Sequence, residues 1–178
     1  MTKTELENCI WEHGKEIYSF CLSLTLNSQE ADDLYQDTFL KAMELLHQIN
    51  YRHNPKSYLL SVALKLWKNK KRKYAWRNRI ANILSLTDEL DLDAIEPPAF
   101  SPESEFLKKE ESTQVQQAVN RLPEKFKLPI LLFYMEDLPL AQIAEVLKIP
   151  IGTVKSRLHQ AKKLLEKELE VVLDEKHR

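Results

Sequence analysis

The stretch from Leu138 to Leu165, LPLAQIAEVLKIPIGTVKSRLHQAKKLL, carries two apolar registers on either side of a proline-marked corner. Leu140, Ile143, Ala144 and Leu147 fall on one face of a first helix, while Ile151, Val154, Leu158, Ala161 and Leu165 recur at steps of three and four along a second. Pro139 suits the first position of the first helix, and Pro150 disfavours helical backbone at Ile149, so the break falls within Lys148 to Pro150. Two helices with one side each to bury, joined by so short a corner, predict a helix-turn-helix. With the stripe inward, Thr153, Lys155, Ser156, Arg157, His159, Gln160, Lys162 and Lys163 stay on the outer side, with no acid among them. Such a face fits a major groove, where short polar side chains near the helix start reach base edges and later lysines meet phosphate. Lys148 stands where such turns often carry glycine, and a left-handed backbone there costs about 1 kcal/mol, which the fold tolerates.

The rest of the chain is also helical in pattern. Only two glycines occur among 178 residues, and long segments show helical rather than alternating periodicity, so a sheet with tight hairpins is excluded as the main architecture. The expected fold is all-α, with two small helical domains: an N-terminal helical bundle and a C-terminal four-helix domain containing the helix-turn-helix. Charge is segregated beneath a net of -1. Residues 1–85 sum to +4, 86–111 to -7 and 112–178 to +2. The acidic stretch contains Pro97, Pro98 and Pro102 and reads as an extended linker. Domains are therefore expected at 1–85 and 108–178, with the acidic, proline-containing linker at 86–107.

Along the first domain, Thr4 to about Leu26 forms a helix with Leu6, Ile10, Ile17, Phe20, Cys21 and Leu24 as apolar positions. Asn27 followed by Glu30 resembles a capping box opening a second helix that runs to about Ile49. Its inward side is Ala31, Leu34, Tyr35, Thr38, Ala42, Leu45 and Ile49, leaving Asp33, Gln36, Asp37, Leu40 and Glu44 on the other face. A third helix starts near Lys56 or Ser57. From Lys56 to Arg79 it holds nine bases and no acid, with Tyr58, Trp67, Tyr74 and Trp76 interleaved. Bases attract phosphate and exposed aromatics stack on bases, so this segment suits single strands or a strand being opened. In the second domain a helix resumes near Glu103 and runs to about Arg121, and KFKLPILLFYMEDL continues helical despite Pro129.

Other chemistries find little support. Glu5, Glu7, Glu12 and Glu16 interrupt the N-terminal apolar positions, so this is neither a signal peptide nor a membrane anchor, and a cytoplasmic location is expected. Cys9 and Cys21 lie on one expected helix, about 18 Å apart at ~1.5 Å per residue, too far for a bridge. They read as core or interface thiols. Asp32, Asp33 and Asp37 invite comparison with the aspartate-rich magnesium helices of prenyl-transfer enzymes, but adjacent aspartates point apart and no second such helix exists. The five histidines lack metal-ligand spacing. No enzyme activity, metal, cofactor or small-molecule substrate is expected. Two readings remain open from the residues: a factor that uses both basic segments, or a stand-alone helix-turn-helix regulator whose N-terminal unit serves dimerisation or sensing.

The order of segments resembles the extracytoplasmic-function group of bacterial sigma factors, within the sigma-70 family. ADDLYQDTFLKAMELL is similar to the family's polymerase-binding helix, NPKSYLLSVALKLWKNKKRK to its minus-ten recognition and melting segment, and VNRLPEKFKLPILLFYMEDLPLAQIAEVLKIPIGTVKSRLHQAKKLL to its minus-thirty-five domain. The resemblance implies that Asp33, Gln36, Asp37 and Leu40 dock on core RNA polymerase. It implies minus-ten DNA contacts by Tyr51, Arg52, Asn54, Lys56, Tyr58, Lys65, Lys68, Lys70, Lys71 and Arg72, and minus-thirty-five contacts by Thr153, Lys155, Ser156, Arg157, His159, Gln160 and Lys163. Departures from the family pattern are Tyr58 in place of the usual tryptophan, Ser61, Lys65 and Gln160. The implied partners are core polymerase, promoter DNA and an anti-sigma protein, which in the family is often membrane-bound and can hold the factor at the membrane.

Overall fold

The computed structural model describes residues 2–46, 54–84 and 109–176. They form seven α-helices and one π-helical segment, with no strand among the described residues. The chain divides into two compact units, Met1–Phe100 and Ser101–Arg178. The linker expected at 86–107 and the domain boundaries drawn at its ends lie outside the described residues.

The first unit is three helices, α1 (Lys3–Thr25), α2 (Ser28–Glu44) and α3 (Pro55–Leu84). Side chains written next to each start explain where the helices begin. Thr2 accepts the Glu5 amide at 3.2 Å while the Glu5 carboxylate accepts the Thr2 amide at 2.7 Å, a reciprocal capping box that satisfies two orphan donors. Leu26 ends α1 in the left-handed region (φ 56°), and Asn27 at once caps α2 by accepting the Glu30 amide at 3.0 Å. At α3, Asn54 Oδ1 accepts the Lys56 amide at 3.0 Å, with Pro55 in the first helical position where its missing N–H costs nothing.

These helices bury one side each. The core comprises Leu6, Cys9, Ile17, Phe20, Cys21 and Leu24 from α1, Ala31, Leu34, Phe39 and Ala42 from α2, and Leu59, Leu60, Val62, Ala63 and Leu64 from α3. Each large side chain removed from water contributes about 1.5–3 kcal/mol. Both cysteines are buried and outside any disulfide, and burial, with Glu12 adding to it, pushes Cys9 up to about 11. Two details differ from the sequence expectation. α2 ends at Glu44 rather than near Ile49, because Leu45 leaves helical geometry (φ -104°, ψ 13°) and its amide is shared between the Lys41 and Ala42 carbonyls, a tightened last turn. Ile49 itself is outside the described residues. The buried stripe of α2 also includes Phe39, while Tyr35 and Leu45 are half-buried.

The second unit comprises α4 (Lys109–Arg121), α5 (Glu124–Ile130), a π segment (Leu131–Met135), α6 (Leu140–Leu147) and α7 (Ile151–Lys176). The start expected for α4 near Glu103 lies outside the described residues. Pro129 has no amide to donate, and two residues later the helix widens into the π segment, closed by the Glu136 amide on the Leu131 carbonyl at 3.1 Å. The core here is drawn from every helix, with Phe126, Leu132, Leu138, Ile143, Val146, Val154, Leu158 and Ala161 among its members. The corner between α6 and α7 is the one written in the sequence: Lys148 is left-handed (φ 54°, ψ 48°), and α7 opens at Ile151 after Pro150. Pro139 is the cap before α6 rather than its first residue, with extended backbone (ψ 150°). Ile151, expected in the buried stripe, is 45% exposed because it starts α7 one turn before the helix reaches the core at Val154.

Lys148→Gly is expected to stabilise the second unit by up to about 1 kcal/mol, since glycine adopts the left-handed region without a Cβ penalty. Thermal unfolding followed by circular dichroism measures this, and a lowered midpoint contradicts it. In the first unit a Cβ at Gly14 would sit 2.8 Å from the Tyr35 hydroxyl, against a ring packed edge-on by Tyr18 and Phe39. Gly14→Ala should therefore fail to deliver the ~1 kcal/mol helix-propensity gain in the wild-type background and recover it when combined with Tyr35→Phe, as read by urea denaturation.

Candidate nucleic-acid interface

In the first unit, α2 and α3 turn different chemistry outward. Asp33 and Gln36 are exposed, Asp37 is half-exposed and Leu40 is 55% exposed, so the expected docking residues share the solvent face of α2. Met43, 44% exposed, extends that face by one turn and carried no expectation. The patch is acidic with an apolar end, a composition suited to a protein surface rather than to phosphate.

α3 has two halves. Through Leu64 it is part of the core, and from Lys65 to Ile80 none of its residues is buried. This outer half carries Lys65, Lys68, Lys70, Lys71 and Arg72, all exposed. Helical spacing places Lys65, Lys68 and Arg72 on one side. Another side lines an open groove of about 540 Å³, formed by Trp67, Lys70, Lys71, Lys73, Tyr74 and Arg77 against Thr25, Glu30 and Leu34. Local contacts set several of these cations. The Lys71 ammonium lies 4.6 Å from the Trp67 ring centre, Arg72 donates to Asn69 Oδ1 at 3.3 Å, and Lys70 reaches Asp37 Oδ2 at 3.2 Å. That last pair joins the basic helix to the acidic face of α2. The aromatics, undecided in the sequence, separate cleanly: Tyr74 and Trp76 are 61% and 63% exposed, whereas Tyr58 and Trp67 are half-buried. Burial pushes the Tyr58 hydroxyl above its ordinary range, opposed in part by Lys41.

Two residues from the minus-ten expectation are engaged in contacts within the unit. Lys56 is 8% exposed, and its ammonium is 2.6 Å from Glu16 Oε2 on α1. Asn54 spends its side-chain oxygen on the cap of α3. Neither belongs to the exposed basic surface in this structure. The sequence pattern could not separate Lys56 from its neighbours, because its partner lies on another helix. Tyr51 and Arg52 are outside the described residues.

In the second unit the outward side of α7 is as expected. Lys155, Ser156, His159, Gln160 and Lys163 are exposed, Thr153 and Arg157 are half-exposed, and Val154, Leu158 and Ala161 anchor the opposite side at 0%, 9% and 0% exposure. The Ser156 hydroxyl donates to the Thr153 carbonyl at 3.1 Å. Lys162 leans on Tyr134, its ammonium 5.7 Å from the ring centre, and the Tyr134 hydroxyl together with Glu166 holds it above the ordinary lysine range. An uninterrupted polar and basic strip backed by a rigid apolar stripe is what a recognition helix requires. No helix among the described residues is long and apolar enough to cross a membrane.

Comparison with known proteins matches one family model to each unit. Residues 10–77 match the family model for sigma-70 region 2, and residues 112–165 match that for sigma-70 region 4. The chain is 30% identical over 158 residues to the extracytoplasmic-function RNA polymerase sigma factor SigW of Bacillus subtilis, covering 86% of this chain and 83% of that protein. It is 27% identical over 176 residues to the RNA polymerase sigma-H factor of Pseudomonas aeruginosa, covering 97% and 90%. In fold it is similar to the sigma factor RpoE of Bartonella quintana, solved with the anti-sigma factor NepR, with a TM-score of 0.71, 23% identity and coverage of 94% and 98%. It is also similar to CnrH, solved with the cytosolic domain of CnrY, with a TM-score of 0.65, 16% identity and coverage of 96% and 90%. With region 2 matched in the first unit, region 4 in the second and a 30% identical relative covered over 83% of its length, this chain belongs to the extracytoplasmic-function sigma factors of the sigma-70 family.

Proposed function

We propose that this chain is an alternative sigma factor that docks on bacterial core RNA polymerase through the α2 face and engages a promoter with both units. The observation that carries this reading is the division of the first unit into an acidic, partly apolar face on α2 and a basic, aromatic outer half of α3. A stand-alone regulator has no need of either surface, and full-length kinship to sigma factors supports the polymerase-dependent reading over that alternative.

Function follows from which groups are left facing water. Lys65, Lys68, Lys71 and Arg72 supply phosphate affinity along the minus-ten region, and the exposed rings of Tyr74 and Trp76 offer stacking surface worth about 1–3 kcal/mol per base to unpaired strands. That term favours opened over closed DNA and so biases the duplex toward melting. On α7, Lys155, Ser156, His159 and Gln160 face base edges of the minus-thirty-five element, with Thr153, Arg157 and Lys163 toward phosphate. A good base-edge contact there discriminates by about 1–3 kcal/mol. We assign the units to 1–85 and 108–178, joined by the acidic connector at 86–107. The chain makes or breaks no covalent bond in this role and uses no cofactor. Its proposed place is the cytoplasm, where an anti-sigma protein covers its surfaces until a signal releases it; the complex of its structural neighbour RpoE with the anti-sigma factor NepR supports such a partner.

In vitro transcription with core polymerase and genomic promoter fragments tests the proposal. Defined start sites that depend on the protein are expected; a protein that shifts duplex operators alone and never binds core polymerase is instead a dimeric regulator. Asp33→Lys is expected to abolish holoenzyme assembly while leaving the thermal transition in place, and normal assembly removes α2 from the docking role. Lys155→Ala should weaken promoter use by roughly 1 kcal/mol or more at unchanged core affinity, and Lys163→Ala should lower the salt slope of promoter binding by about 1. Transcription and salt titration of the two variants give both quantities.

A further inference from the structure

The first turn of α3 is held from two directions. From within, Asn54 Oδ1 accepts the Lys56 amide at 3.0 Å, the Ser57 hydroxyl donates to the Asn54 carbonyl at 2.9 Å, and the Tyr58 amide donates to the same carbonyl at 3.3 Å. From α1, the Glu16 carboxylate takes the Lys56 ammonium at 2.6 Å, and the same Oε2 lies 3.3 Å from His13 Nδ1. The Lys56 side chain is 10% exposed and that of Glu16 is 49% exposed, so a lysine reaches across the bundle and meets a carboxylate at its rim. The Lys56 hydrogen bond, against some desolvation, holds the Glu16 carboxyl below its ordinary range.

This arrangement is specific rather than merely cohesive. An apolar contact between α1 and α3 would tolerate sliding, whereas a short charge-assisted hydrogen bond allows one separation and one direction. Its position is also particular. Every residue that the proposed function presents to the minus-ten element follows Asn54 along α3. Lys56 itself, expected as a DNA contact, is committed to α1.

We propose that Glu16 is a positioning residue for minus-ten recognition, fixing the start of α3 through Lys56 and thereby the register in which the outer half of α3 meets the DNA. The inference rests on the sigma-factor reading, and Glu16 touches no DNA.

The full chain tests it with Glu16→Gln, Lys56→Met and the exchanged pair Glu16→Lys with Lys56→Glu. Amide hydrogen exchange of the free protein reports the brace, and transcription by the assembled holoenzyme from promoters with cognate or base-substituted minus-ten elements reports its consequence. Glu16→Gln and Lys56→Met should each speed exchange at Lys56 to Leu60 by about tenfold, leave α2 amides unchanged and reduce the cognate preference severalfold at normal core affinity. The exchanged pair should move both readouts back toward wild type. If Glu16→Gln changes neither readout while Lys56→Met lowers promoter use, Lys56 is a direct DNA contact and the proposal fails. If both variants lower discrimination without altering exchange, or the exchanged pair restores nothing, the proposal fails likewise. A wild-type holoenzyme indifferent to the minus-ten sequence overturns the sigma-factor reading itself, while the exchange rates still judge whether Glu16 holds α3.

Discussion

Each unit of this protein is small enough that its helices can bury only one side, and this constraint shapes everything else. A domain of this size has a high ratio of surface to volume, and its core is a single layer of contacts between stripes. Phe20, Ile17, Leu34, Leu59 and Leu60 fill that layer in the first unit, and Ile143, Val154, Leu132 and Ala161 do so in the second. The opposite sides are left to solvent, so the identity of the outward residues is decided by partners rather than by folding. An acidic and apolar face on α2, a basic and aromatic half on α3 and a basic strip on α7 are the outcome.

The charged surfaces of the first unit are not electrically independent. Asp37, on the proposed docking face, holds Lys70, on the basic helix, at 3.2 Å with both side chains about half exposed. Exposed pairs of this kind are worth about 0–1 kcal/mol and weaken with salt, so a protein surface or a phosphate can displace either partner. Lys56 differs in degree. Its ammonium is withdrawn from solvent, its partner is fixed on α1, and releasing it exposes Glu16 to the loss of its strongest neighbour. The two pairs sort one run of lysines into a cation that is available to a partner and one that holds the fold.

The helix-turn-helix shows how far local chemistry reaches. Pro139, Pro150 and the two apolar registers locate the corner at Lys148 to Pro150, and the left-handed lysine there follows because three residues must reverse the chain. Asn27 and Glu30 likewise mark the start of α2 before any tertiary contact is considered. Helix ends without such markers were less legible. α2 stops at Glu44 although apolar spacing continues to Leu45 and Leu46, because the end is decided by a tightening of the last turn that periodicity does not encode. The exposure of Ile151 has a related cause: it satisfies the spacing of the stripe but precedes the point at which α7 meets the core.

The amino-acid sequence by itself determined the all-helical class, the position of the recognition helix and the outward placement of Asp33, Gln36, Leu40, Lys155, Ser156, His159 and Gln160. Those properties arise from spacings within one helix, where the geometry of 3.6 residues per turn leaves little freedom. Tertiary structure decided where individual members of the basic run are drawn. Lys56 turns inward to Glu16, Lys70 is shared with Asp37, and Trp67 is half-buried while Tyr74 and Trp76 are exposed. The sequence could not order these, because along one helix lysines look alike, and only the approach of α1 and α2, remote in the chain, brings Glu16 to Lys56 and Asp37 to Lys70.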